Sequence, residues 1–113
     1  MIPCTTLLSE QMQWQPHPVV AGARIAYLLR AEAGLSCALV ELPAGVEAEP
    51  HIHPESDDLL YILRGQGAMW VEGQGEIPLT PGCFLRIPSQ LWHGPTRITE
   101  TLLIHNTWLP RPR

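Results

Sequence analysis

Proline and glycine interrupt this chain so often that long helices are not expected. Twelve Pro and 9 Gly are spread over 113 residues, and both residue types break helices and mark turns. Between them lie short apolar runs, at residues 19–29, 35–42, 59–63, 68–72, 83–87 and 98–109. Short runs with turn signals every roughly eight to twelve residues predict an antiparallel β-sandwich or barrel. Residues 9–14 predict at most one turn of helix.

The composition is that of a folded chain rather than a disordered one. Hydrophobic residues make up 45% and charged residues 16%, whereas disordered chains are poorer in the first and richer in the second. A length of 113 residues suits one domain with a single core. We therefore expect residues 1–113 to form one all-β domain, in which residues 1–17 are an N-terminal arm or add one strand.

The charged residues and the cysteines argue against several partners and chemistries. The formal net charge is −4, whereas nucleic-acid-binding domains are usually basic, so no nucleic-acid partner is expected. The sequence contains no Lys, which excludes a Schiff-base lysine and a P-loop. Cys4, Cys37 and Cys83 are odd in number and widely spaced, which argues against a disulfide framework or a thiolate zinc site.

The sequence also shows no pattern typical of membrane insertion or secretion. No apolar stretch approaches the ~18 residues of a membrane span, so no membrane partner is expected. Residues 1–16 have neither a basic start nor a long apolar core, so no signal peptide is predicted. The expected location is therefore cytoplasmic.

Four side chains suggest a metal site. His51 and His53 are separated by one residue, and on a strand this spacing places both imidazoles on one face, roughly 6.5–7 Å apart along the chain. Strand alternation puts Asp58 on the same face as Leu60. If Leu60 points into the core, Asp58 points toward the histidines. His93 offers a third nitrogen from a separate segment. An H-x-H pair alone also occurs on exposed polar strands that bind nothing, so the spacing by itself leaves both interpretations open.

Residues 45–65 contain the spacing Gly-x5-His-x-His-x4-Asp-x6-Gly. This segment resembles the first sequence motif of the cupin superfamily, G-x5-H-x-H-x3–4-E-x6-G, with Asp58 in the acidic position. Residues 82–93 keep the first Gly, the Pro and the His of the second cupin motif, G-x5-P-x-G-x2-H-x3-N. Gln90 stands where that motif has its inner Gly, and Arg97 stands where Asn is usual. The resemblance implies a small single-domain cupin, an all-β antiparallel barrel or jelly roll with little helix.

The cupin resemblance implies that His51, His53, His93 and Asp58 bind one divalent metal ion per chain. Cupin sites usually have three His and one Glu, and Asp58 is one methylene shorter than Glu. It therefore binds the metal directly after an inward shift of its strand, or binds through a water molecule, or leaves three firm ligands. Asp57 also falls within the permitted spacing but faces the other way by alternation. Imidazole and carboxylate ligands suit Fe, Mn, Zn, Ni and Cu alike, so the sequence does not choose among them.

Such a site predicts an enzyme that acts on a small molecule with a chelating oxygen group. A metal with open positions suits a dioxygenase-like oxygenase. The alternatives are a redox-neutral isomerase, lyase or decarboxylase, and a non-catalytic module that binds a metal or small ligand. The resemblance also implies a homodimer that pairs through N-terminal strands, with Tyr27, Leu28 and Leu29 as candidate contacts.

Two further histidines and an apolar wall complete the predicted pocket. His105 is interpreted either as an acid or base that lines the pocket or as a histidine that packs on the barrel. His17 is predicted to lie in a surface loop. The apolar residues predicted to line the pocket are Val40, Leu60, Ile62, Met69, and Leu85 or Phe84.

Overall fold

The computed structural model describes residues 4–30 and 35–110. These residues contain seven β-strands and one three-residue 3-10 helix. The helix spans Ser9–Gln11. The strands are β1 (Gln15–Pro16), β2 (Arg24–Arg30), β3 (Ser36–Leu42), β4 (Ser56–Val71), β5 (Gly75–Leu79), β6 (Phe84–Ile87) and β7 (His93–Pro110). The predicted all-β fold with little helix is confirmed. In this part of the chain, no helix has the length and apolar character needed to cross a membrane.

The two longest strands, β4 and β7, organise the sheet. The hydrogen-bonded order is β1-β2-β3-β7-β4-β5, and β6 also pairs with β4. β4 and β7 run antiparallel from the pair Ser56–Pro110 to the pair Val71–His93, with register shifts between residues 62 and 68. β6 and β3 flank the part of this ribbon before the shifts, and β5 flanks β4 after them. The pairing fits the two-layered jelly roll of cupins.

The turn signal Arg64-Gly65 predicts that the strand of residues 59–63 ends there, which is wrong, because β4 continues through both residues. Gly65 has a φ of +100°, and a Cβ built on it would lie 2.2 Å from the carbonyl oxygen of Thr101. Glycine therefore permits a register shift and a close approach of β7, rather than a turn. No strand was predicted at β5, which contains Pro78. β5 stands at the end of the hydrogen-bonded order, where a proline is tolerated.

The core lies on the inner faces of β3, β4 and β7. Leu60 and Ile62 of β4 and Leu102 and Ile104 of β7 are all buried, as strand alternation predicts. The same alternation brings Asp58 to the inner face. A polar group thus lies at one end of an apolar core, and the candidate site forms around it.

Candidate metal centre

Three imidazole rings meet where the 51–53 segment is hydrogen-bonded to the start of β7. The backbone N–H of His51 donates to the carbonyl of His93 at 2.8 Å, and the N–H of His93 donates back to that of His51 at 2.9 Å. Ring centroids are 4.5 Å apart for His51 and His93, 5.0 Å for His51 and His53, and 5.3 Å for His53 and His93. One nitrogen of each ring lies within 4.8 Å of the others. The three histidines are therefore close enough to hold one metal ion.

Hydrogen bonding leaves ring nitrogens of this cluster unpaired. Nδ1 of His93 lies 2.9 Å from the carbonyl oxygen of Leu91, so it carries the proton and donates. Nε2 of His93 then has a lone pair, and it is buried without a hydrogen-bond partner in the described part of the chain. Nδ1 of His51 is likewise buried without a hydrogen-bond partner among the described residues. Buried polar atoms rarely lack partners, and a metal ion would supply one to both, so the residues fit such an ion.

Burial disfavours the charged form of two rings of the cluster, those of His51 and His53. Burial, together with the neighbouring rings of His93 and His53, lowers the pKa of His51 to about 4. Burial also lowers the pKa of His53, although the nearby Asp58 acts in the opposite direction. Only a neutral imidazole has a lone pair for a metal. His51 and His53 can therefore offer lone pairs to a cation at neutral pH without first losing protons.

Asp58 lies beside two of the three rings. Its Oδ2 is 3.5 Å from Nε2 of His93 and 3.7 Å from Nε2 of His53. Its Oδ1 accepts a hydrogen bond from the side-chain amide of Asn106. Only 5% of Asp58 is exposed. The amide therefore holds one carboxylate oxygen while the other faces the histidines, so the shorter side chain of Asp reaches the cluster.

Asp57, the alternative carboxylate, faces away from the histidines as alternation predicts. Its Oδ2 accepts hydrogen bonds from Nε and Nη2 of Arg86, at 3.0 and 2.8 Å. Its Oδ1 accepts a bond of 2.9 Å from the backbone N–H of Ser89. Asp57 thus ties β4 to the segment after β6 and has no place in the cluster.

Two of the residues that line the cavity without having been predicted to do so are polar, Asn106 and His17. Asn106 shares the inner face of β7 with Ile104, and a polar residue at a core position was the available signal. His17 lies in a loop between β1 and β2, as predicted, but it is half-buried and lines the cavity instead of lying only at the surface. Its Nδ1 accepts hydrogen bonds from the backbone N–H groups of Val19 and Val20, at 3.1 and 3.0 Å. Burial lowers its pKa.

His105 follows Ile104 on β7 and is absent from the cavity wall, which contains its neighbours Ile104 and Asn106. In the sheet, His105 lies opposite Leu39 of β3 and Tyr61 of β4. Its side chain is therefore on the face of the sheet that points away from the cavity. This position favours the packing interpretation of His105 over a role in the pocket.

The cavity around the cluster is small and mostly apolar. Its volume is about 50 Å³, which is room for a few water molecules. The residues that line it are His17, Val20, Val40, Leu42, His51, His53, Asp58, Leu60, Met69, His93, Pro95, Ile104, Asn106 and Trp108. Val40, Leu60 and Met69 were predicted to line it. A ligand that enters completely must therefore be small.

Three of the predicted wall residues lie elsewhere. Ile62 is fully buried in the core, because it lies one inward position further along β4 than Leu60. Phe84 is 62% exposed on the outer side of β6. Leu85 packs against the core without reaching the cavity. The wall is therefore built mainly from β3, β4 and β7.

Both departures from the second motif fall on residues with left-handed backbone. Gln90 has a φ of 72° and Arg97 a φ of 47°, and Gly and Asn are the residues that adopt this conformation most readily. Gln90 is nevertheless fixed, because its N–H donates to the carbonyl of His53 at 3.0 Å and its side-chain amide donates to that of Pro54 at 3.3 Å. The turn therefore keeps its shape and supports the 51–53 segment.

Comparison with known proteins agrees with the fold. A family model described as a cupin domain matches residues 38–104. Over 54 residues, the chain is 42% identical to quercetin 2,3-dioxygenase of Bacillus subtilis (strain 168), a match that covers 48% of the chain and 16% of that protein. The chain thus spans about a sixth of the length of this curated relative.

Solved structures extend the likeness over nearly the whole chain. A predicted oxalate decarboxylase from Thermotoga maritima has a TM-score of 0.80 at 21% identity, covering 94% of this chain and 99% of that one. An RmlC-like cupin from Shewanella frigidimarina has a TM-score of 0.76 at 19% identity, covering 95% and 91%. At these identities the likeness concerns the fold alone.

Proposed function

The chain belongs to the cupin family, and on this premise we propose that it is a metal-dependent enzyme that oxygenates a small organic molecule, in the manner of a dioxygenase. One observation carries the proposal: three imidazoles converge in a small, mostly apolar cavity, and two of them have buried, unpaired nitrogens. The 42% identity to a stretch of quercetin 2,3-dioxygenase supports the oxygenase type.

The proposed metal ligands are one nitrogen each from His51, His53 and His93 and one oxygen of Asp58. Three nitrogens and one oxygen suit Fe, Mn, Zn, Ni or Cu, and an octahedral ion would keep two positions open. Such an ion supplies Lewis acidity and, when it is redox-active, a path for electrons between substrate and dioxygen.

The residues of the chain prepare the site for that chemistry. The carbonyl of Leu91 fixes the tautomer of His93, and the amide of Asn106 fixes one oxygen of Asp58. Partners that orient a ligand in this way preserve its geometry and its basicity. The apolar wall excludes most water, which strengthens the electrostatic interactions inside the cavity.

The proposed substrate is a small molecule that presents a chelating oxygen group, such as a hydroxy acid, a diketone or a phenol. The volume of about 50 Å³ limits the part that can enter. A larger molecule would have to leave most of its atoms at the mouth of the cavity.

Oxygen uptake tests the proposal. The purified protein is loaded anaerobically with Fe(II), Mn(II), Ni(II) or Cu(II), and oxygen consumption is measured with a panel of small chelating acids, ketones and phenols. We expect uptake that requires both a metal and a substrate and that is lost in His93→Ala. Turnover without oxygen would contradict the oxygenase and favour a redox-neutral isomerase, lyase or decarboxylase. Metal binding with no turnover would favour a binding module.

We further propose that residues 1–113 act as a single cupin domain that forms a cytoplasmic homodimer. Leu29 of the candidate contacts is 38% exposed. Tyr27 already packs near Trp108, with ring centroids 6.4 Å apart, and the guanidinium of Arg30 lies 3.5 Å from its ring centre. Light scattering after size exclusion should give about twice the chain mass of 12.6 kDa. A mass near 12.6 kDa would contradict the dimer, and cell fractionation would test the location.

A further inference from the structure

A fourth histidine in the cavity has no part in the proposed metal site. His17 lies between β1 and β2 and lines the same cavity as the three clustered histidines. We propose that His17 is a substrate-binding residue whose Nε2–H donates a hydrogen bond to an anionic oxygen of the ligand. This inference rests on the proposed function, because it concerns the ligand of the same site.

The hydrogen bonds of the ring determine which nitrogen carries the proton. Nδ1 of His17 accepts from the backbone N–H groups of both Val19 and Val20. An acceptor needs a lone pair, so Nδ1 carries no hydrogen. A neutral imidazole has one N–H, which must then be on Nε2. The fold therefore presents the ring to the cavity as a donor.

The proton on Nε2 also excludes His17 as a fourth metal ligand. A nitrogen that carries a proton has no lone pair to give to a cation. His17 thus stands in the cavity wall beside the metal site rather than within it.

Most other polar groups of the wall are already engaged. The three clustered rings and Asp58 form the proposed metal site, and the amide of Asn106 donates to Asp58. Within the part of the chain that the structure describes, Nε2 of His17 has no hydrogen-bond partner. It is therefore the imidazole donor of this wall that remains for a ligand, and the rest of the wall is mostly apolar.

The backbone holds the donor in place before a ligand arrives. The N–H of His17 donates to the carbonyl of Ala23 at 2.9 Å, so the residue is fixed through both its backbone and its ring. Pro16 and Pro18 flank it and restrict its conformation. A donor fixed in this way costs little entropy to use on binding. A charged acceptor forms the stronger hydrogen bond, so carboxylate, enolate or phenolate oxygens are favoured over neutral groups.

Binding of oxalate to the zinc-loaded protein tests this role without any turnover. Oxalate can chelate a metal through two oxygens and still present two others to a donor. The variants are His17→Phe, which removes the donor, His17→Gln, which keeps an N–H of similar reach, and His105→Phe, a matched change outside the cavity. Zinc content is measured first by elemental analysis, and the dissociation constant of oxalate is then measured by calorimetry.

We expect all four proteins to hold one zinc ion per chain. His17→Phe should bind oxalate about tenfold more weakly, which is the loss expected for one hydrogen bond to a charged group. His17→Gln should recover most of the affinity, and His105→Phe should match the wild type.

Wild-type affinity in His17→Phe, or equal weakening in His105→Phe, would overturn the donor role. Loss of zinc from His17→Phe would also overturn it, because His17 would then be a metal ligand. A wild-type protein that holds no zinc and none of the other candidate metals would overturn the proposed function instead. Measuring metal content before ligand affinity separates these failures.

Discussion

Asp57 and Asp58 are neighbours on β4 and are buried to a similar degree, 7% and 5% exposed, but they face opposite sides of the strand. Asp57 receives two hydrogen bonds from the guanidinium of Arg86 and one from the backbone N–H of Ser89. Asp58 receives one from the neutral amide of Asn106 and otherwise faces imidazole rings.

The difference shows which carboxylate already has a cation. The outer group, Asp57, is balanced by Arg86. The inner group, Asp58, lies beside the rings of His53 and His93, and burial lowers the pKa of His53, which disfavours a charged ring there. A buried carboxylate is costly unless a cation or enough hydrogen bonds compensate it. The inner face of β4 is therefore prepared to receive a cation, whereas the outer face is complete without one.

The largest expected effect comes from removing a ring on the inner face. His51→Ala should lower metal affinity by at least about 100-fold, because even partners that only orient a ligand are worth about 10- to 100-fold. His105→Ala removes the same side chain from the other face of the sheet and should leave affinity unchanged. Elemental analysis and a competition titration with a chromophoric chelator measure both. Equal metal content in the two variants would remove the distinction between the faces.

The two carboxylates offer the sharpest form of the comparison. Asp58→Asn should weaken metal binding by about 10- to 100-fold and change the stability of the metal-free protein little. Asp57→Asn should leave metal binding intact and cost about 1 kcal/mol, a modest value because the side chain of Arg86 is 53% exposed. Urea unfolding and metal titration of both variants measure the four quantities. Weakened metal binding in Asp57→Asn would count against the assignment.

Acid should destabilise the metal-free protein through the inner face. Below about pH 6.5 the unfolded chain protonates its histidines, whereas folded His51 resists until about pH 4. The unfolded state then binds more protons, so the free energy of unfolding falls between these pH values, by about 1–3 kcal/mol. Urea unfolding at pH 7 and pH 5 measures this, and His51→Asn should show a shallower fall. A flat profile in the wild type would contradict the burial of neutral rings.

The smallest expected effect concerns the turn behind the inner face. Gln90 has a left-handed φ of 72°, so Gln90→Gly should relieve backbone strain and stabilise the protein by up to about 1 kcal/mol. Loss of the side-chain bond to Pro54 reduces this gain. Thermal unfolding measures the change. A clear destabilisation would mean that the side chain of Gln90, rather than its backbone, supports the 51–53 segment.

Strand alternation predicted the inner face well, because side chains on a strand point alternately to its two sides. It placed Asp58 inward and Asp57 outward. It did not predict the register shifts near Gly65. A glycine that lets a neighbouring strand approach closely cannot be distinguished, from the local sequence alone, from a glycine that ends a strand. The contact that decides, with Thr101, lies 36 residues away in the sequence.

His17 could not be placed from sequence because its position depends on the path of the N-terminal arm. The pattern Pro16-His17-Pro18 is typical of an exposed loop. In the structure, β1 pairs with β2, and the N–H of His17 bonds to Ala23, which folds the segment against the cavity. Such long-range pairing leaves little trace in local residue patterns. The proposed metal ligands could be predicted from residue spacing and family resemblance. The position of His17 in the cavity wall could be found only from the folded structure.

A metal-loaded crystal measured at the absorption edge of the metal tests the central claim most directly. The account predicts one anomalous peak per chain, about 2.0–2.3 Å from a nitrogen of each of His51, His53 and His93, with an oxygen of Asp58 at a similar distance. An anomalous peak elsewhere on the chain, or none among the three rings at saturating metal, would contradict it.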